Sequence, residues 1–269
     1  MKNGENERDG YKRWRADDPK AILLLVHGIG AHSGRWDAAA AFFLKKNISS
    51  YAVELWDPKA AGKAADQGSR FRSYYDKITS LHAIISRENP SKKIFLVGES
   101  LGALVSFLFC AARPDLFSGL ICLSPAFATK NKVSTLDCIK MLAPIFYDPG
   151  RQFSLLFDSS MCTRDEDYRR MMDRDPLEYR SISSKMIFDI LLAQAHAGME
   201  KNKISVPVLF LLAGEDKIVD AAQARRVFNS LAVKDKALVE FPGMYHSLSV
   251  DLGKESVFEE MSKWMEEHI

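Results

Sequence analysis

Residues Ile94–Ala112 read IFLVGESLGALVSFLFCAA and carry the clearest structural signal in the chain. They open with a short apolar run, Ile94 to Val97, which is typical of a strand buried on both faces of a parallel sheet. They close with Leu101 to Ala112, an apolar stretch long enough for a helix. In between, Gly98 and Gly102 flank Ser100. Strand, tight turn and helix in this order are the context of a nucleophile elbow, in which the serine Oγ stands exposed above the sheet.

On both sides of this stretch, apolar strands alternate with amphipathic helices. The predicted strands are Tyr11–Arg15, Ala21–Val26, Tyr51–Trp56, Ile94–Val97, Gly119–Leu123, Val208–Ala213 and Ala237–Phe241. The predicted helices are Trp36–Lys46, 74–85, Leu101–Ala112, Asp220–Leu231 and a C-terminal helix over 257–265. This alternation favours the α/β class, with a mostly parallel sheet and helices on both faces. In such a sheet the chemistry lies beyond the carboxyl ends of the strands.

One segment interrupts the alternation. About 80 residues separate the strand that ends near Ser124 from the one that starts near Val206, far more than an ordinary connection. Helical patterns occur within it at Thr135–Leu142 and Ser184–Ala195. We therefore interpret residues 126–203 as an inserted helical cap, and residues 1–125 together with 204–269 as the core domain.

A serine becomes a nucleophile when a base removes its proton, and histidine is the usual base. His246 follows the last predicted strand after a short loop, Pro242–Tyr245, which ends beyond the same sheet edge as Ser100. The nucleophile-elbow arrangement also expects the chain order serine, acid, histidine. The other histidines lack this placement: His27, His32, His82, His196 and His268. We therefore predict Ser100 as nucleophile and His246 as base.

The base needs a carboxylate that fixes its tautomer. Three carboxylates follow the strand Val208–Ala213, namely Glu215, Asp216 and Asp220. Asp216 lies in the loop just past the strand end and is our prediction for the acid, with Glu215 as the second choice. Asp220 precedes a predicted helix and suits an N-cap.

Acyl transfer also needs donors for an oxyanion. The backbone N–H of Leu101, directly after the nucleophile, is one predicted donor. The loop His27–His32 follows an early strand, and its glycines, Gly28 among them, permit close backbone approach. We assign the second donor to the N–H of Ile29 and expect the His27 side chain to brace this loop.

Composition and charge narrow the class of protein. The 269 residues are 47% hydrophobic and 27% charged, with a net charge of +2. Lysine and arginine are spread among acidic residues, which argues against a nucleic-acid partner. Because the cysteines show no metal-ligand spacing with histidine, we expect no metal and no cofactor.

The polar segment Met1–Lys20 lacks the apolar core of a signal peptide, which predicts a cytoplasmic protein. The oligomeric state stays open.

Over nearly its whole length, the sequence resembles the monoglyceride lipase and lysophospholipase branch of the α/β-hydrolases. The stretch His27–Trp36 looks like the His-Gly loop of that branch, and 98–102 looks like its elbow. Asp216 and His246 fall where its acid and base stand, and two cap stretches are also similar, Thr163–Asp165 and Asp175–Leu177.

The sequence departs from that branch at two places. Asp57–Ala64 keeps only part of a Gly-x-Gly stretch, and Ala103 stands where a third glycine is common. Neither departure removes a catalytic atom, so they bear on the substrate more than on the reaction.

The resemblance implies an α/β-hydrolase fold and a serine hydrolase that cleaves monoacylglycerols or lysophospholipids through an acyl-enzyme. Apolar cap residues could line an acyl tunnel, pack the cap onto the core, or touch a bilayer transiently. They are Ile139, Met141, Leu142, Ile145, Phe146, Phe153, Leu155, Leu156 and Phe157. The alternatives are a short-chain carboxylesterase, a thioesterase or acyltransferase on the same triad, and a non-catalytic ligand-binding protein.

Overall fold

The computed structural model describes residues 5–7, 10–56, 70–130 and 134–269. The strands in these residues are β1 (Glu5–Glu7), β2 (Tyr11–Trp14), β3 (Ala21–Val26), β4 (Ile48–Val53), β5 (Lys93–Glu99), β6 (Gly119–Leu123), β7 (Gln152–Ser154), β8 (Ser181–Ser183), β9 (Val208–Ala213) and β10 (Lys236–Phe241). The α-helices are α1 (Asp37–Lys45), α2 (Arg70–Glu88), α3 (Leu101–Ala112), α4 (Thr135–Leu142), α5 (Ser159–Cys162), α6 (Glu166–Arg174), α7 (Ser184–Glu200), α8 (Ala221–Asn229) and α9 (Lys254–Glu266).

The main sheet has the strand order β1-β2-β4-β3-β5-β6-β9-β10. In this order, neighbouring strands from β4 to β10 run parallel, whereas β1 pairs antiparallel with β2 and β2 pairs antiparallel with β4. Because the carboxyl ends of parallel strands meet at one edge, the loops after β3, β5, β9 and β10 all emerge there. The predicted site residues lie in these loops.

Both faces of the sheet are covered by helices. Alternate residues of β3 belong to different apolar cores: Ile22, Leu24 and Val26 pack on the side of α2 and α3. Leu23 and Leu25 pack on the other side, with α1 and α9. A strand buried on both faces shows no alternation in its sequence, which is why β3 reads as a continuous apolar run. The predicted α/β-hydrolase fold class is confirmed.

The predicted bounds of β4 were wrong. Tyr51–Trp56 was expected, but the strand starts at Ile48 and ends at Val53. Ser49 and Ser50 resemble turn residues, yet both are buried, and the Ser49 Oγ accepts the Ala16 N–H at 3.0 Å. The strand ends at Val53 because its partner β3 ends at the paired residue Val26.

The predicted cap segment, residues 126–203, holds α4 to α7 and the antiparallel pair β7–β8. The helix Thr135–Leu142 has the predicted bounds, whereas α7 extends to Glu200, beyond the predicted Ala195. The pair β7–β8 was not predicted, since three-residue strands are too short for a readable alternation. Within the described part of the chain, every helix is too short or too polar to cross a bilayer. Asp57–Ala64 lies outside the described residues.

Candidate active site

Ser100 occupies a sharp turn between β5 and α3. Its φ of 57° and ψ of −119° place it in a backbone region that costs a side-chain-bearing residue about 1–3 kcal/mol. A Cβ on Gly102 would collide with the carbonyl groups of Val26 and His27, so glycine is needed for α3 to start this close to β3. The Ser100 N–H donates to the Leu123 carbonyl at 2.9 Å, which holds the turn against β6.

The side chains of Asp216 and His246 form a buried hydrogen-bonded pair. His246 Nδ1 donates to Asp216 Oδ2 at 2.8 Å. The other carboxylate oxygen accepts the backbone N–H groups of Ile218 at 2.8 Å and Val219 at 2.9 Å. An ionised carboxylate can only accept, so the proton sits on Nδ1 and leaves the Nε2 lone pair available.

Burial and the neighbouring charges shift the pKa values of Asp216 and His246 in opposite directions. Burial by itself raises the pKa of Asp216, but the charge and hydrogen bond of His246 and the two backbone N–H groups hold that pKa below its ordinary value. Burial by itself lowers the pKa of His246, but Asp216 and, less strongly, Glu99 hold it above its ordinary value, against the opposing charge of Arg35. The pair is therefore a carboxylate beside an imidazole that accepts a proton readily.

Ser100 and His246 line one small cavity of about 40 Å³. The structure brings the two residues to the same cavity, but among the described residues no hydrogen bond joins their side chains. Such contacts are often long before substrate binds and tighten in the complex.

The loop after β3 approaches the serine closely. A Cβ on Gly28 would lie 3.2 Å from the Ser100 Cβ, and a Cβ on Gly98 would collide with the backbone of Gly102. Ile29, the next residue of the loop, lines the small cavity together with Ser100.

The predicted oxyanion donors have free N–H groups. Neither the Ile29 nor the Leu101 N–H is bonded to an acceptor among the described residues. His27 braces the loop as predicted, because its Nδ1 donates to the Gly28 carbonyl at 2.9 Å and its Nε2 accepts the Leu55 N–H at 3.1 Å.

Ser100 also lines a second cavity of about 190 Å³. Its lining contains no charged side chain among the described residues. The residues come from the core loops and from the cap segment: Ile29, Ser100, Leu101, Ala126, Thr129, Cys138, Met141, Leu142, Ser154, Leu155, Leu156, Phe157, Ile182, Ile187, Ile190, Leu191, Gln194, Ile218 and Val219. The shape and lining suit an apolar chain attached to a group that reaches the serine.

Of the nine apolar cap residues singled out in the sequence, Ile145 and Phe153 are partly buried and do not line the larger cavity, and the other seven divide into two groups. Met141, Leu142, Leu155, Leu156 and Phe157 line the larger cavity. Ile139 and Phe146 do not line it and are largely exposed, with 90% of Phe146 open to solvent. Residues of α7 also line the larger cavity, and they were not predicted although the helix itself was.

The small cavity has a charged wall that the sequence analysis did not identify. Arg35, buried at the end of the turn before α1, forms an ion pair with Glu178 of the cap segment. Glu99, directly before the serine, is buried and lines the same cavity. Arg35 and Glu99 stand inside the two motifs quoted from the sequence, but the motif patterns assign them no role.

Further contacts fasten the cap segment beside the site through the two stretches that resemble known caps. Buried Asp251, on the loop that carries His246, accepts the Thr163 hydroxyl at 3.0 Å and the Arg164 N–H at 2.7 Å. In the second stretch, Asp175 Oδ2 lies 3.0 Å from His32 Nε2. The cap segment is thus tied both to the His246 loop and to the loop after β3.

Comparison with known proteins places this arrangement in a family. The model of the family described as "Serine aminopeptidase, S33" matches residues 17–253. A monoglyceride lipase of Mus musculus is 29% identical over 93% of this chain and 84% of its own. Phospholipase YtpA of Bacillus subtilis is 28% identical over 95% and 99%. The crystal structure of Paleococcus ferrophilus monoacylglycerol lipase superposes with a TM-score of 0.83 at 26% identity, covering 96% of this chain and 98% of that one.

Proposed function

Because the chain belongs to the serine aminopeptidase S33 family, we propose that it is a carboxylic ester hydrolase that cleaves monoacylglycerols or lysophospholipids. The relatives named as monoglyceride lipase, monoacylglycerol lipase and phospholipase support this substrate class. A cytoplasmic location stays a prediction.

Ser100 is the nucleophile in the proposed mechanism. His246 Nε2 takes the Ser100 proton while the serine oxygen attacks the ester carbonyl. Asp216 holds the imidazole in the productive tautomer and stabilises the imidazolium, a role supported by its 2.8 Å hydrogen bond to Nδ1. The N–H groups of Ile29 and Leu101 receive the oxyanion. His246 then protonates the leaving alcohol, and a water molecule activated by His246 releases the fatty acid.

The observation that carries the proposal is the pair of cavities that meet at the serine. Ser100 and Ile29 line both of them. The larger, apolar cavity takes the acyl chain, while the small cavity, walled by His246, Arg35 and Glu178, faces the leaving alcohol. An ester with one long apolar side and one small polar side matches this division.

Other substrates are less well matched. The family name refers to an aminopeptidase, and the substrate of such an enzyme carries an ammonium group. An ammonium group needs a carboxylate partner, but the carboxylate of Glu178 is already paired with Arg35. A short-chain carboxylesterase would leave most of the larger cavity unused. A thioesterase or acyltransferase would use the same residues and differs only in the leaving group or the acceptor.

The decisive experiment is hydrolysis of p-nitrophenyl esters from acetate to palmitate, alongside monoacylglycerol, lysophosphatidylcholine, an acyl thioester and an amino-acid p-nitroanilide. We expect kcat/KM to rise about fourfold for each added CH₂ until the cavity is filled, because each buried CH₂ contributes about 0.8 kcal/mol. Activity limited to acetate and butyrate would contradict the lipase proposal, and activity limited to the anilide would favour a peptidase.

A matched variant tests whether the larger cavity is the cause. Ile187 of α7 lines that cavity and does not line the small one among the described residues. Ile187→Trp should therefore remove the preference for long chains and leave acetate hydrolysis close to the wild-type rate. Equal losses on acetate and palmitate would show that the acyl chain binds elsewhere.

We also propose that the exposed apolar side of the cap segment contacts lipid aggregates. Leu136 and Ile139 of α4 and Phe146 and Tyr147 just after it are 58–90% exposed. Phe146→Ser should lower binding to phosphatidylcholine vesicles about 10- to 100-fold, because burying a phenylalanine is worth about 1.5–3 kcal/mol. Hydrolysis of dissolved p-nitrophenyl acetate should not change, and Phe146→Leu should bind as the wild type does. Unchanged vesicle binding by Phe146→Ser would rule out this contact.

A further inference from the structure

Glu99 connects the strand that leads to Ser100 with the loop that carries His246. It is the last residue of β5, directly before Ser100, and only 3% of it is exposed. Its Oε1 accepts the Ser249 N–H at 2.9 Å and its Oε2 accepts the Ser249 hydroxyl at 2.8 Å. Ser249 lies three residues after His246 on a loop whose other anchor is Asp251. Glu99 therefore ties the loop of the base to the strand of the nucleophile.

The charge of Glu99 also bears on the imidazole. The ionisable groups that act on His246 are Asp216 after β9, Glu99 at the end of β5 and Arg35 before α1. Arg35 in turn is paired with Glu178 and lies near Cys162 and Tyr168 of the cap segment. Glu99 is thus a second carboxylate that acts on His246, and it lines the same small cavity.

A purely structural role would not require a charge at this position. Burial holds the pKa of Glu99 above its ordinary value, although the two donors of Ser249 and the charges of Arg35 and His246 act in the opposite direction. A buried carboxylate is costly, and apolar pairs of similar size often replace such groups without loss of stability. The position of this charge beside a group that becomes positive during the reaction suggests a use for it.

We propose that Glu99 is a positioning residue for the reaction: it sets the loop of His246 against Ser100, and its charge stabilises the imidazolium that forms when Ser100 loses its proton. This inference rests on the proposed function. Glu99 acts through His246 and makes no bond to the substrate.

The test is the pH dependence of Ser100 labelling by a fluorophosphonate, which needs no knowledge of the natural substrate. In Glu99→Gln the side chain keeps its shape and loses its charge. The imidazolium is then less stable, so the pKa of His246 falls and the acidic limb of the labelling rate should move to lower pH by on the order of 1 unit. The plateau rate should fall about tenfold, since a weaker base activates the serine less.

Two control variants separate charge from packing. Ser249→Ala keeps the charge and removes one hydrogen bond, so its acidic limb should stay at the wild-type pH while its rate falls. Glu88→Gln makes the same substitution at the end of α2. Glu88 precedes the amino end of β5, whereas Ser100 follows its carboxyl end. The proposal would be overturned if the acidic limb of the labelling rate moved no further in Glu99→Gln than in Glu88→Gln.

If Glu99→Gln fails to fold, Glu99→Met/Ser249→Ala takes its place, because it removes the carboxylate together with the hydroxyl that it accepts from. Its acidic limb should move in the same direction, and an unmoved limb would again overturn the inference. Absence of labelling at Ser100 in the wild-type protein would instead refute the proposed function. The two failures are therefore distinguishable.

Discussion

Ser100→Ala is expected to abolish ester hydrolysis and leave the fold intact. Loss of such a nucleophile lowers kcat by on the order of 10⁶-fold, because no other group can form the acyl-enzyme. Alanine can adopt the same turn as serine, and the Ser100 N–H that bonds to Leu123 is retained. The free energy of unfolding should therefore change by less than about 1 kcal/mol. Turnover of the best ester in the panel and a urea unfolding curve measure the two effects.

A neighbouring serine provides the matched control. Ser106 is buried on α3, and its Oγ has no hydrogen-bond partner in the part of the chain that the structure describes. Ser106→Ala should hydrolyse esters and bind fluorophosphonate as the wild type does, whereas Ser100→Ala should do neither. Retained turnover by purified Ser100→Ala would remove Ser100 from the mechanism.

The local parts of the fold could be predicted from the sequence. Gly98 and Gly102 mark the elbow because backbone atoms fill the space that a side chain would need. The helix α3 and the strands β6 and β9 have the predicted bounds, since each is a continuous apolar run that ends at a polar or turn residue. In these segments burial on all sides produces a pattern that is visible within a few residues.

The pairings between distant segments could not be predicted. Glu99 and Ser249 are separated by 150 positions, and Arg35 and Glu178 by 143. Nothing in the neighbourhood of one partner indicates the other, because the sheet order and the position of the cap segment bring them together. The same holds for Asp251, whose partners in the cap segment are set by long-range packing.

Asp216→Asn is expected to lower kcat by on the order of 10⁴-fold without unfolding the protein. The carbonyl oxygen of the introduced amide can still accept the N–H groups of Ile218 and Val219. The amide nitrogen then faces His246 Nδ1 and can only donate, so the imidazole carries its proton on Nε2 instead. Nε2 can no longer accept the Ser100 proton, and the base is lost although the positions of the side chains are unchanged.

Single-turnover hydrolysis measures this loss, and two variants on the same loop provide controls. Asp220 caps α8 by accepting the Ala222 N–H at 2.9 Å, and asparagine caps a helix equally well, so Asp220→Asn should be fully active. Glu215 is exposed, and Glu215→Gln should also be active. If Glu215→Gln lost turnover while Asp216→Asn kept it, Glu215 would be the acid. The 2.8 Å hydrogen bond between Asp216 and His246 would then fix only the position of the imidazole, and its tautomer would not be set by that bond.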